Sequence, residues 1–202
     1  MRMVAFLFLM CIAHALGGQV VSYKQMIKAF RSAEWQSLIH DPRTKLPASD
    51  SIFLRYYDTK ESNKVYCAFT AIQDQTILEI PTYNGQMKTY KKYGKISFTW
   101  DKKPVNLIAY QSVRTSPGGN KFSNYLFIPF KDKTTGDQTY AGGRYVEVFP
   151  EQIKDGHLIL DLNKVYNPWC AYSDGYSCPI PPSENTLNVA ITAGEKKFAK
   201  AH

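Results

Sequence analysis

From residue 51 to residue 162 the chain is a succession of short runs rich in β-branched and aromatic residues, and this pattern constrains the fold more than any other feature. The runs are 51–57, 64–71, 76–80, 87–90, 95–100, 105–111, 125–130, 144–149 and 157–162. Turn chemistry separates them at 58–63, 83–85, 101–104, 116–119 and 155–156. Ahead of them, Ser22 has N-cap chemistry, and Met26, Ile27, Phe30, Ala33 and Leu38 recur at helical spacing until Asp41-Pro42. One helix over 23–39, a lid or strap, is therefore expected. His40 beside Asp41 invites an acid–base reading. Neighbours at a helix end do not face one another, however, and His40 against the last carbonyls is favoured. The expected fold is mainly β: an antiparallel barrel or sandwich of short strands, with one N-terminal helix and an irregular Pro/Cys-rich C-terminal segment.

The first residues bear on compartment. Met1-Arg2-Met3 is a short positive region, residues 4–13 are an apolar run, and Ala13-His14-Ala15 places small residues where signal peptidase cuts. The expectation is a signal peptide at 1–15 followed by a single mainly-β domain at 16–202, periplasmic or secreted. The run is too short to cross roughly 30 Å of hydrocarbon, so no transmembrane segment is expected in the mature chain. A lipid anchor at Cys11 is disfavoured because Phe8-Leu9-Met10 precede it. The formal charge of +8 favours acidic partners. An exported protein meets little nucleic acid, and the charge is read as surface electrostatics. Lys88-Thr89-Tyr90-Lys91-Lys92-Tyr93 mixes basic and aromatic residues as single-strand binders do, but a solvated hairpin face explains it more simply.

Export also bears on the cysteines. In an oxidising compartment Cys170 and Cys178 are most simply a disulfide, worth roughly 2–3 kcal/mol. Cys67, in an alternating apolar run, is then a buried free thiol. A three-thiolate metal site is the sharper alternative, but only His40, His157 and His202 remain beside it, so no metal and no cofactor are assigned.

Two segments carry more chemistry than connectors need. Within 129–145, hydroxyls, glycine amides and Arg144 could form an anion-binding nest; a plain glycine-rich β-turn is the competing reading. No helix pattern follows the glycines, which excludes a P-loop or dinucleotide fingerprint. Residues 161–196 show no helical or strand period and concentrate cysteine, proline, asparagine and carboxylates. They are either a tail that satisfies its own backbone and staples itself, or a site.

The same segments, 130–145, 161–172, 177–185 and 193–196, resemble the bacterial and archaeal family known as domain of unknown function 1684. The resemblance runs from about Phe30 to Lys196. It places Asp132, Thr139, Tyr140, Gly143, Arg144, Asp161, Asn163, Tyr166, Asn167, Cys170, Cys178, Glu184, Asn185, Glu195 and Lys196 on the family's signature, and implies no named activity. Leu162, Thr135, Gln138 and Thr186 depart from its usual Phe, Ser, Glu and Arg.

Three functional expectations follow. The first is an exported module binding a small-molecule or glycan-like ligand, anionic or polar, through Asp132, Thr139, Tyr140, Arg144, Asn163, Tyr166, Asn167, Trp169, Asn185 and Glu195. Arg144 would pair with charge, the aromatics would stack, and the asparagines would read hydroxyls. The second is a hydrolase-like enzyme using Asp161 or Glu195 as base, Arg144 as stabiliser and Tyr140 as proton donor. It requires two of these side chains on one cavity. The third is a structural envelope component, which predicts an exposed apolar patch.

Overall fold

The computed structural model describes residues 21–74, 76–116 and 119–200. The expected signal peptide at 1–15, with Cys11, lies outside the described residues.

The helix forms where its pattern predicts, as α1 (Tyr23–Ile39). Ser22 and Gln25 build a capping box: Gln25 N donates to Ser22 Oγ at 3.3 Å, and Ser22 N donates to Gln25 Oε1 at 2.7 Å. At the other end His40 Nδ1 lies 2.7 Å from the Gln36 carbonyl, while Asp41 pairs with Arg43 at 2.7 Å rather than with His40. Trp35 and Leu38 bury the helix against Tyr172, Tyr176 and Phe198, so α1 straps down the C-terminal segment.

The strands are β1 (Lys64–Ala71), β2 (Ile77–Pro81), β3 (Met87–Trp100), β4 (Lys103–Ser116), β5 (Gly119–Phe122), β6 (Leu126–Phe130), β7 (Arg144–Val148) and β8 (His157–Asp161). All pair antiparallel in the order β7-β6-β4-β3-β1-β8, with β2 added to β3 and β5 to β4. The sheet curls into a half-barrel. Two expected runs, 87–90 and 95–100, are one strand: β3 passes through a bulge between Lys92 and Gly94. The bulge turns its edge from β2 to β1. A Cβ at Gly94 would stand 2.1 Å from the Phe69 ring. β3 and β4 join through Asp101 and Lys102, both at positive φ (48° and 60°), as a two-residue turn matched to strand twist requires. Residues 51–57 are not a strand. A 3-10 turn, Ala48–Phe53, occupies the first part, and Tyr56 then bridges Glu195.

The main core lies on one face of the curled sheet, built from Ile96, Leu107, Leu126, Ile128, Val146 and Leu160 among others. Its closure was not expected. Leu187, Val189, Ile191 and Ala193 are buried in that core, alternating with exposed Thr186, Asn188, Ala190 and Thr192. The segment thus has a strand's period of two without a strand's ladder, and it plugs the half-barrel. Its backbone is tied at intervals instead: Leu187 N donates to Lys131 O at 2.8 Å, Lys133 N to Val189 O at 2.9 Å, and Trp100 Nε1 to Ala190 O at 2.9 Å. β6 is buried on both faces, with Phe127 turned away from the main core toward Tyr90, Tyr110 and Tyr145.

Candidate functional site

The two chemistry-rich segments do meet, and Arg144 joins them. It opens β7 with 1% of its surface exposed. Nη1 donates to Ala193 O at 2.7 Å and Glu195 O at 3.0 Å; Nη2 donates to Asp132 Oδ2 at 3.0 Å and Ile191 O at 2.8 Å. Burial pulls the guanidinium pKa down and Asp132 opposes that shift. Asp132 in turn accepts from Thr134 N (3.0 Å), Thr134 Oγ1 (2.6 Å) and Ile191 N (2.8 Å), and Thr134 meets Thr139 at 3.0 Å. This network clamps the plug to the glycine loop. Gly143 is part of it: at φ +87°, a Cβ would meet Phe130 O at 2.7 Å. Asp132, Thr139 and Arg144 therefore lie inside the fold, with Arg144 offering neither Nη to a ligand.

The asparagines also turn inward. Asn185 sits between β4 and β6 and stands in for a strand: its Oδ1 accepts from Ile108 N at 2.7 Å, and its Nδ2 donates to Ile108 O at 2.9 Å and Pro129 O at 2.8 Å. Asn163 accepts from Lys60 N and Asn63 Nδ2 and donates to Lys60 O. Asp161 caps the 3-10 turn that follows it by accepting from Asn163 N at 3.1 Å, and the Tyr23 hydroxyl donates to its carboxylate at 2.7 Å. Cys170 and Cys178 form a disulfide with Cα atoms 6.2 Å apart. Cys67 is buried and free, its thiol pushed up to about 11 by burial. Among the described residues no group of three or more His, Cys, Asp or Glu is arranged to hold a metal.

Beneath α1 is a cavity of about 20 Å3, lined by Glu34, Trp35, Tyr56, Asn167, Tyr172 and Glu195 among others. That is space for about one water. Glu195 is its polar centre: Tyr172 OH donates to Oε1 at 2.5 Å and Asn167 N to Oε2 at 3.0 Å. Burial raises its pKa from 4.5 to about 7, against the pull of those two bonds. Asn167 Nδ2 donates to Lys196 O at 2.8 Å, while its Oδ1 is buried without a partner among the described residues. Neither Asp161 nor Tyr140 lines this cavity, and Tyr140 OH donates instead to Cys170 O at 3.3 Å. The three residues proposed for acid–base chemistry are thus not brought together.

A second depression is open and far larger, at about 480 Å3. Its floor comes from alternate residues on three strands: Lys88 and Tyr90 of β3, Tyr125 (just ahead of β6) and Phe127, and Tyr145 and Glu147 of β7. The C-terminal segment supplies Tyr166, Trp169 and the stretch from Tyr176 to Pro179, and Arg43 enters from the loop after α1. The rings interlock: Tyr90 stacks on Phe127 at 5.6 Å, Phe127 meets Tyr145 edge-on at 4.7 Å, Tyr145 meets Tyr166 at 5.9 Å, and Trp169 meets Tyr176 at 5.2 Å. Tyr145 OH is tied to Pro179 O at 2.5 Å and Tyr166 OH to Glu147 Oε1 at 2.7 Å. Loss of water raises the Glu147 pKa and lowers that of Lys88, the latter with help from Arg43.

Of the candidate ligand-binding residues, Tyr166 and Trp169 line this cleft, and both also line the small cavity. Lys88 and Tyr90 belong to the stretch read as a solvated hairpin face, and Tyr125, Phe127, Tyr145 and Glu147 carry no expectation of a site. Their signal was the alternation of Lys88 with Tyr90, Tyr125 with Phe127, and Tyr145 with Glu147, which puts each pair on one face. The envelope alternative finds a smaller feature: Tyr66 (68% exposed) and Ile159 lie side by side on β1 and β8.

No curated protein matches the chain. An uncharacterised protein of Haloarcula marismortui, solved by solution NMR, is similar at 32% identity and a TM-score of 0.65, over 86% of this chain and 94% of that one. A family model matches residues 53–196, which include every strand and the plug. The chain belongs to this family, described as protein of unknown function DUF1684.

Proposed function

We propose that this protein binds a small polar ligand with a flat ring or apolar body in the open cleft between β3, β6, β7 and the C-terminal segment. The observation that carries this reading is the convergence of Tyr90, Tyr125, Phe127, Tyr145, Tyr166, Trp169 and Tyr176 on one open volume of about 480 Å3. Small-ligand sites occupy about 300–1,000 Å3 and combine apolar walls with a few charged or polar groups. Lys88, Glu147 and Arg43 are those groups here. A thermal-shift screen of polar metabolites and glycans tests the reading. Hits should stabilise the wild-type protein and lose about two- to tenfold in affinity in Trp169→Ala, since ring stacking is worth about 0.5–1.5 kcal/mol beyond area burial. Hits that ignore Trp169→Ala and Tyr145→Phe alike would place binding elsewhere and sink it.

We propose further that the protein works after export. Residues 1–15 have the order of a secretory signal, and the Cys170–Cys178 disulfide suits an oxidising compartment. Protein recovered from the periplasm or medium should begin at residue 16 and show one thiol before reduction and three after. Recovery only from the cytoplasm with Met1 retained would overturn this.

A further inference from the structure

The cleft carries charged side chains of both signs. Lys88 lies on the Tyr90 face of β3, and Glu147 on the Tyr145 face of β7. Among the described residues Lys88 forms no ion pair, and Glu147 meets no cation, accepting only from Tyr166. The remaining rim cation, Arg43, is already held by Asp41 through hydrogen bonds of 2.8 and 2.7 Å, with its guanidinium over Tyr176. Between β3 and β7 stand β4 and β6, so the two uncompensated charges belong to strands about 14 Å apart at ordinary spacing. The Tyr90, Phe127, Tyr145 and Tyr166 rings span the interval without a break.

Each end has its own preference. A lone ammonium is a point charge suited to one carboxylate, without the fork that favours phosphate. A carboxylate that accepts from the Tyr166 hydroxyl and meets no cation suits an ammonium through charge. A free α-amino acid, with its charges on neighbouring groups, cannot reach both ends.

We propose that the cleft takes a zwitterion whose ammonium and carboxylate are held well apart by an apolar or aromatic body, as in a short peptide, with the carboxylate at Lys88 and the ammonium at Glu147. This rests on the ligand-binding reading of the same cleft, and adds its charge pattern and orientation.

The probe is the tripeptide alanyl-phenylalanyl-alanine with its N-acetylated, C-amidated and doubly blocked forms. Binding is followed by calorimetry and by the part of the tryptophan emission that Trp169→Phe removes. The free tripeptide should bind tightest, each block costing about two- to fivefold, the scale of partly exposed charge contacts. N-acetylation should cost nothing further in Glu147→Gln, and C-amidation nothing further in Lys88→Met. Glu147→Gln keeps an acceptor for the Tyr166 hydroxyl and Lys88 forms no ion pair, so the variants should melt like wild type. Equal binding of all four forms, with Trp169 responding, would overturn the charge pattern and leave cleft binding standing. A Trp169 response to aryl glycosides but to no peptide would overturn the ligand class alone. Silence of Trp169 toward peptides and glycosides alike would bring down both readings.

Discussion

Arg144 shows at the scale of one residue how a side chain chosen for ligand chemistry serves the fold. Its two Nη atoms reach three carbonyls of the C-terminal segment and one buried carboxylate. Removing it strands Asp132 as an uncompensated buried charge, and breaking such a pair costs about 3–5 kcal/mol. Arg144→Met should lower unfolding free energy in urea by that amount; a loss below about 1 kcal/mol would refute the clamp. Glu195 gives a pH signature. Folding raises its pKa from 4.5 to about 7, so the folded state holds the proton longer than the unfolded chain. Its contribution is most favourable below 4.5 and is lost as pH climbs through about 7. Stability should therefore fall between those values by about 3 kcal/mol on this group's account. Glu195→Gln should flatten that part of the profile, and a wild-type slope that persists in the variant would assign it to other groups.

Among the elements, the plug separates packing from pairing. Ile191 is fully buried in the main core, whereas Asn188 points outward. Ile191→Ala should cost about 2–5 kcal/mol by removing methyl groups from a filled core, and Asn188→Ala should stay within about 0.5 kcal/mol. Equal effects would mean that the segment rests on the sheet without closing it. The plug's period is faint in the sequence. Its alternation spans only 186–193, sits between proline-rich and glycine turns, and uses alanine at two positions, 190 outside and 193 inside. β3 posed the opposite difficulty: three lysines interrupt its pattern between Met87 and Gly94, since its edge changes partner there.

For the whole molecule, the C-terminal third is what makes a half-barrel into a closed domain with a cleft. α1 and the Cys170–Cys178 loop hold the wall that carries Tyr166, Trp169 and Tyr176. Replacing both cysteines with serine should cost about 2–3 kcal/mol in thermal unfolding and weaken any cleft ligand, because the loop loses its closure. Unchanged stability and binding would mean that packing alone shapes the wall. The β class, the helix with its cap, most strand positions, the disulfide and the membership of a family can all be read from the chain, because each is written in local periodicity, turn residues or motif spacing. The sequence also marked the two segments that meet. Their roles depend on how the chain folds back on itself. Whether Arg144, Asn163 and Asn185 face solvent or a buried carbonyl depends on strand order and curl, which join residues more than forty positions apart. The cleft is likewise non-local: Lys88, Phe127 and Glu147 share a surface only because β4 and β6 bring β3 and β7 into one sheet.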